Sequence, residues 1–183
     1  MPKEDSWEVN AETYWSLPEG RRAELIDGRL YDMAPPSRQH QRVVSELTRI
    51  LGNYIAAHGG PCEVYPVPFA VNLDGDDRTW VEPDISIICD PDKLSDRGCE
   101  GAPDLTIEVV SPSTQRTDYI TKAFHYEWAG VREYWIVDVD AAHTMVYRFS
   151  TGDACPRMFA LADPVPVGIW DGDLSITVAD LLV

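Results

Sequence analysis

One run of the chain narrows the choice of fold more than any other. Residues 104–138 read DLTIEVVSPSTQRTDYITKAFHYEWAGVREYWIVD. Leu105 to Val110 is almost wholly apolar, the pattern of a strand buried on both faces. A Ser-Pro break follows, then a helix-like segment, then a second apolar strand over REYWIVDVD. Two strands joined through a helix of this length lie side by side and parallel, with a right-handed crossover. Elsewhere RAELIDGRLYDM carries Asp27-Gly28 between two short strands, the signature of a tight antiparallel hairpin. A chain that contains both must build a mixed sheet with helices on its faces, so the expected class is α/β (α+β). A chain of 183 residues with 44% hydrophobic residues can bury one sizeable core, and a single domain over 1–183 is expected.

The other elements fit that frame. NAETYWSLPEG reads as a short helix capped by Asn10, and PSRQHQRVVSELTRILGNYIAAHGG as a long one. In the latter Val43, Val44, Leu47, Ile50, Leu51, Tyr54 and Ile55 recur at helical spacing, and Gly59-Gly60 stop it. CEVYPVPFAVNL reads as a strand that Pro66 and Pro68 push to a sheet edge. VEPDISIICD reads as one strand, apolar except for Asp84 near its start. No apolar run approaches the ~20 residues of a membrane span. Cys62, Cys89, Cys99 and Cys155 form no CxxC pair and read as free thiols in a reducing cytoplasm. His40, His58, His125 and His143 show no metal-binding spacing. His40 shares a helical face with Val43, Val44 and Leu47, so a satisfied core histidine is expected there.

Two residues of the opening run raise a chemical question. Glu108 places a carboxylate inside a strand that reads as buried, which is costly unless it is paired or binds a metal. From Glu108 to the strand end near Ser111 is ~10 Å at strand rise. The returning helix covers ~12 Å from Thr114 to Lys122, so Lys122 arrives level with Glu108. Asp118, Lys122 and Tyr126 lie four apart on one face, and Asp118 can hold the lysine in place. Phe124 and Trp128 lie on another face, expected to pack on the sheet. If the strand bearing Asp84 neighbours that of Glu108, the two carboxylates can share a hard divalent ion such as Mg2+. The alternative is a buried Glu108–Lys122 salt bridge that only fixes the fold.

The segments AELIDGRLYDMAPPSRQHQRVV, VEPDISII and GAPDLTIEVVSPSTQRTDYITKAFHYEWAGVREYWIVD, with the following MVYR, resemble the Uma-type family of restriction-endonuclease-like proteins. That family falls in the PD-(D/E)XK nuclease superfamily, and the likeness covers most of residues 20 to 150. It implies a restriction-endonuclease-like mixed β-sheet flanked by helices. Pro83-Asp84 resembles the PD half-motif and Glu108 the second acid. The superfamily lysine normally falls two residues after that acid, where this chain has Val110; Lys122 resembles its replacement from the next helix. Glu24 resembles a further acid near the site. The resemblance thus implies Asp84, Glu108, Lys122 and Glu24 as catalytic residues, with Asp84 and Glu108 as ligands of Mg2+ or Mn2+, and DNA as partner. It also suggests a homodimer, for which Tyr14, Trp15 and Trp170 are the aromatic residues available as an interface.

The net charge of −16 argues the other way for a polyanionic partner. Arg21, Arg22, Arg38, Arg42 and Arg116 are available to make one side locally basic. DNA binding is expected to be weak and salt-sensitive. The competing expectation is a catalytically weak or inactive accessory protein of the same fold that binds a protein partner. Nothing in the sequence reads bases, so RNA and small nucleotides stay open as substrates.

Overall fold

The computed structural model describes residues 9–152 and 155–182. Two six-stranded sheets and a small two-stranded one make up its β-structure. The central sheet holds, in spatial order, Arg157–Ala160, His143–Tyr147, Glu133–Asp138, Leu105–Val109, Ile85–Ile88 and Glu63–Pro66. Leu105–Val109 and Glu133–Asp138 pair in parallel, with Glu108 beside Ile136, as the crossover requires. All other pairings in this sheet are antiparallel, so it is mixed. CEVYPVPFAVNL is not one strand: Glu63–Pro66 lies at the edge of this sheet, where Pro66 costs no ladder bond, and Val71–Asn72 belongs to the second sheet.

Each face of this sheet has its own core. The helix Arg38–His58 lays Val43, Val44, Leu47 and Leu51 on Ile85, Ile87, Leu105, Ile107, Trp135 and Val137. Its start is capped by the Ser37 side chain, which accepts a bond from the His40 amide. The other face carries the second sheet and the helical segment after Leu105–Val109. Ile26, Val71, Val81, Ile88, Tyr126, Tyr134 and Ile136 meet there. The alternation of a strand therefore sends Leu105, Ile107 and Val109 to one core and Glu108 toward the other.

The second sheet begins with the expected hairpin, Ala23–Ile26 and Arg29–Asp32. Asp27 and Gly28 both take positive φ, 51° and 73°, as a two-residue turn of this kind demands. VEPDISIICD is not one strand. Trp80–Val81 belongs to the second sheet and Ile85–Ile88 to the central one. Pro83 lies at the break, where the chain steps between sheets, and Asp84 sits just past it.

The cysteine expectation fails at one pair. Cys62 and Cys89 form a disulfide, while Cys99 and Cys155 are free. The register explains it: Glu63 pairs with Ile88, so the next residues out on each strand face one another. Among the described residues, no helix is long and apolar enough to cross a membrane.

Candidate active site

The strands of Asp84 and Glu108 are neighbours. Ile85 pairs with Ile107 in an antiparallel register, and one residue further on Asp84 stands across from Glu108. Cross-strand partners point to the same face. Asp84 Oδ2 accepts a bond from the Val109 amide at 2.8 Å, and His40 Nε2 lies 3.1 Å from the same oxygen. Those two contacts fix the Asp84 side chain at the end of its strand.

The crossover returns Lys122 as its length requires. Lys122 Nζ donates to Glu108 Oε1 at 2.8 Å. The same nitrogen lies 2.8 Å from Glu24 Oε1 on the hairpin and 3.7 Å from Asp118 Oδ1 one turn back. Tyr126 donates its hydroxyl to Glu108 Oε1 at 2.8 Å. Glu24 is tied from the other side by the Glu82 amide, 2.8 Å from Oε1. Residues from three segments thus converge on one ammonium. Lys122 is in a turn of π-helix, Thr117–Lys122, that runs into the α-helix Ala123–Ala129. π-turns are frequent where a helix is shaped around a site.

The electrostatics follow from burial. Glu24, Asp84, Glu108, Asp118 and Lys122 are each at most 7% exposed. Four carboxylates share this space with one ammonium. Burial opposes the charge on Lys122, yet Glu108, Glu24 and Asp118 together hold its proton well above the ordinary lysine range. Burial first, then the negative charges of Asp118, Asp84 and Glu24, push Glu108 well above the ordinary carboxylate range against the pull of Lys122. Burial likewise lifts Asp118 to about 6. Both oxygens of Asp118 are buried without a hydrogen-bond partner. For His40 burial opposes the charge, but the bond and proximity to Asp84 raise its affinity for a proton.

A cleft of about 450 Å3 opens over these groups. Met33 to Pro36 line it with apolar side chains, and Ser111, Ser113, Thr114 and Thr117 line it too. Of the five arginines considered from the sequence, only Arg22 lines the cleft. Its guanidinium is bound to Glu82 at 2.6 Å.

The donor set suits a hard divalent cation. It is all carboxylate oxygen at the strand pair, and it carries excess negative charge including Asp118, whose oxygens lack a hydrogen bond. Among the described residues no three His, Cys, Asp or Glu side chains stand together as a ready-made ligand group.

All four residues singled out from the sequence, Glu24, Asp84, Glu108 and Lys122, are brought together. Three others belong with them. Asp118 is not a surface partner of Lys122 but a buried one. His40 is inward-facing as expected, yet it faces the cleft and Asp84 and not only the apolar core. Tyr126 was legible only as a member of the 118/122/126 face. That face turns to the sheet because Glu108 is there, so the residues two positions on, at about 200° around the helix, turn outward. Phe124 and Trp128 are accordingly 61% and 76% exposed and do not pack on the sheet.

A mixed sheet with two neighbouring strand carboxylates and a lysine returned by the crossover helix defines a restriction-endonuclease-like fold. The chain belongs to the Uma2 family, described as "Putative restriction endonuclease", which it matches over residues 11–170. A crystal structure from Anabaena variabilis ATCC 29413, described as a putative nuclease belonging to DUF820, superposes with a TM-score of 0.78. That similarity covers 95% of this chain and 97% of the other at 22% sequence identity, and it shows the shared fold. An uncharacterized protein of Synechocystis sp., slr1290, is 28% identical over 104 residues. The match takes in 57% of this chain and only 53% of that protein, about half its length.

Proposed function

We propose that the cleft hydrolyses phosphodiester bonds in DNA with Mg2+ or Mn2+ as cofactor. The observation that carries this reading is the cross-strand pair Asp84 and Glu108 with Lys122 Nζ bound to Glu108 at 2.8 Å. A bound divalent ion would supply charge neutralisation at the phosphate and lower the pKa of a water. Asp84 and Glu108 would hold it. Asp84 is oriented by the Val109 amide and His40, and Glu108 by Tyr126. Lys122 keeps its proton, so it acts as a hydrogen-bond donor that orients water and meets charge developing on the phosphate. Glu24 and Asp118 hold the lysine in place.

One observation favours a second reading, a catalytically weak accessory protein that binds a protein partner. Both fixed cations of the cleft, Arg22 and Lys122, are already paired with carboxylates, on a chain of net charge −16. The deciding experiment is cleavage of supercoiled plasmid and single-stranded DNA at low salt with Mg2+ or Mn2+, wild type beside Glu108→Ala. Metal-dependent nicking that the mutant lacks supports the nuclease. No cleavage together with no calorimetric metal binding supports the accessory protein.

A further inference from the structure

Given a cleft that hydrolyses phosphodiester bonds, the reading on which this one rests, we propose that Tyr31 is a stacking platform for an unpaired nucleobase and that the strand entering the cleft is single-stranded. Tyr31 lies directly across the hairpin from Glu24, and the next pair on that face is Arg22 with Met33, joined by the Met33 amide to the Arg22 carbonyl at 2.9 Å. Cross-strand partners share a face, and all four of these residues line the cleft. Glu24 Oε1 is 2.8 Å from Lys122 Nζ, which is itself 2.8 Å from Glu108 Oε1. Tyr31 therefore stands one cross-strand spacing, about 5 Å, from a residue that touches the lysine. A phosphate held at Glu108 and Lys122 would bring a base of an adjoining nucleotide to this ring.

The ring is available. Tyr31 is 40% exposed, and of the large apolar side chains exposed among the described residues it is the one that lines the cleft. Among the described residues it meets no other aromatic ring and its hydroxyl makes no hydrogen bond. The aromatic residues named from the sequence as an interface are engaged within the chain: Tyr14 is buried, Trp15 packs edge-on against Trp80, and Trp170 lies against Tyr54. Met33, Pro35 and Pro36 follow Tyr31 in the chain and add apolar surface to the cleft.

Charge selects the same occupant. The fixed cations of the cleft, Arg22 and Lys122, are each bound to carboxylates, and the chain carries −16. Attraction to phosphates is a poor source of affinity in such a place. A duplex brings one negative charge per ~1.7 Å and a single strand one per ~3.4 Å, so the duplex is repelled more strongly. A duplex also keeps the faces of its bases inside its own stack. Base–aromatic stacking needs no positive charge, and every base has a face to offer. An unpaired strand is thus the form of DNA with which this cleft makes a contact of its own, and that contact is tolerant of sequence.

The test is binding to the full chain, read by anisotropy with a short labelled oligothymidylate and a duplex of the same length. Ca2+, which takes oxygen ligands as Mg2+ does, replaces Mg2+, and the strands are checked for integrity on a gel. The wild type is expected to bind the single strand at least about tenfold more tightly than the duplex. Tyr31→Leu should weaken the single strand about tenfold and leave the duplex unchanged, while Tyr31→Phe, which keeps the ring, should bind as the wild type does. A second measurement needs no variant: a strand carrying 5-iodouracil, irradiated on the wild type, should attach at Tyr31, as read by mass spectrometry. A wild type that binds the duplex as tightly as the single strand, or binds neither, overturns the proposal. So does a folded Tyr31→Leu variant that binds the single strand like the wild type, or attachment that falls on other residues. The chemistry is decided apart from this. Metal-dependent cleavage of single-stranded DNA with an unchanged KM in Tyr31→Leu sinks the platform and leaves the nuclease. Binding that depends on Tyr31 without metal-dependent cleavage keeps the platform and sinks the nuclease.

Discussion

Lys122 brings one positive charge into a space it shares with Glu24, Glu108 and Asp118. Removing it as Lys122→Ala leaves buried carboxylates without a cation, which should cost ~3–5 kcal/mol of stability and be seen in urea melts. The excess of acid sets a pH dependence. Asp118 ordinarily titrates at 3.8 and is lifted to about 6 in the fold, and Glu108 is also held well above its ordinary 4.5. A raised carboxyl binds its proton more tightly folded than unfolded. Its stabilising contribution is complete below the unfolded value, and is lost as pH rises through the folded one. Without divalent metal, the melting temperature should therefore fall as pH rises from about 4 through about 6, where Asp118 titrates in the fold. Asp118→Asn should flatten the lower part of that fall. At about pH 8, saturating Mg2+ should raise the melting temperature of the wild type but not of Glu108→Ala, since ligand binding to the folded state stabilises it. Thermal melts with EDTA and with Mg2+ measure all three variants.

The elements hold these side chains by local rules. The long helix begins at a Ser37 cap whose oxygen meets the His40 amide, so Ser37→Ala should cost ~1 kcal/mol. Because His40 touches Asp84, the same change should also weaken metal binding measured by calorimetry. The hairpin that carries Glu24 turns on Gly28 at φ 73°. Gly28→Val forces a β-branched residue into the left-handed region, and a loss of ~1–2 kcal/mol is expected in denaturant unfolding. These elements were legible because each depends on residues close in sequence: a cap three residues from its amide, a turn of two residues, an apolar recurrence at helical spacing. The broken strand at Glu82–Asp84 was not legible. Its two halves both read as apolar strand, and only their partners assign them to different sheets.

On the scale of the whole molecule, charge governs encounter with a polyanion. The cleft is lined by Arg22 and Lys122 among several carboxylates, and the chain carries −16. Few phosphates can be neutralised by protein cations. The slope of log K against log salt for DNA binding should therefore be shallow, about −1 to −2, where a protein making 6–10 phosphate contacts shows about −5 to −9. Affinity should rise steeply with Mg2+ or Mn2+. Fluorescence anisotropy with a labelled duplex across salt and metal concentrations measures both.

The sequence by itself determined the parallel crossover, the hairpin, the long helix and the height at which Lys122 arrives beside Glu108. Strand rise, helix rise and the length of the connection bring the lysine level with the acid, and here it lies 2.8 Å from it. Tertiary structure alone decided that Asp84 stands across from Glu108, that Cys62 meets Cys89, and that Glu24 and His40 close in from separate elements. It also decided which face of the crossover helix is inside. Hydrophobic pattern favours burying Phe124 and Trp128, but the sheet presents a carboxylate at that height. Leaving Glu108 without its lysine costs more than leaving two aromatic rings in water.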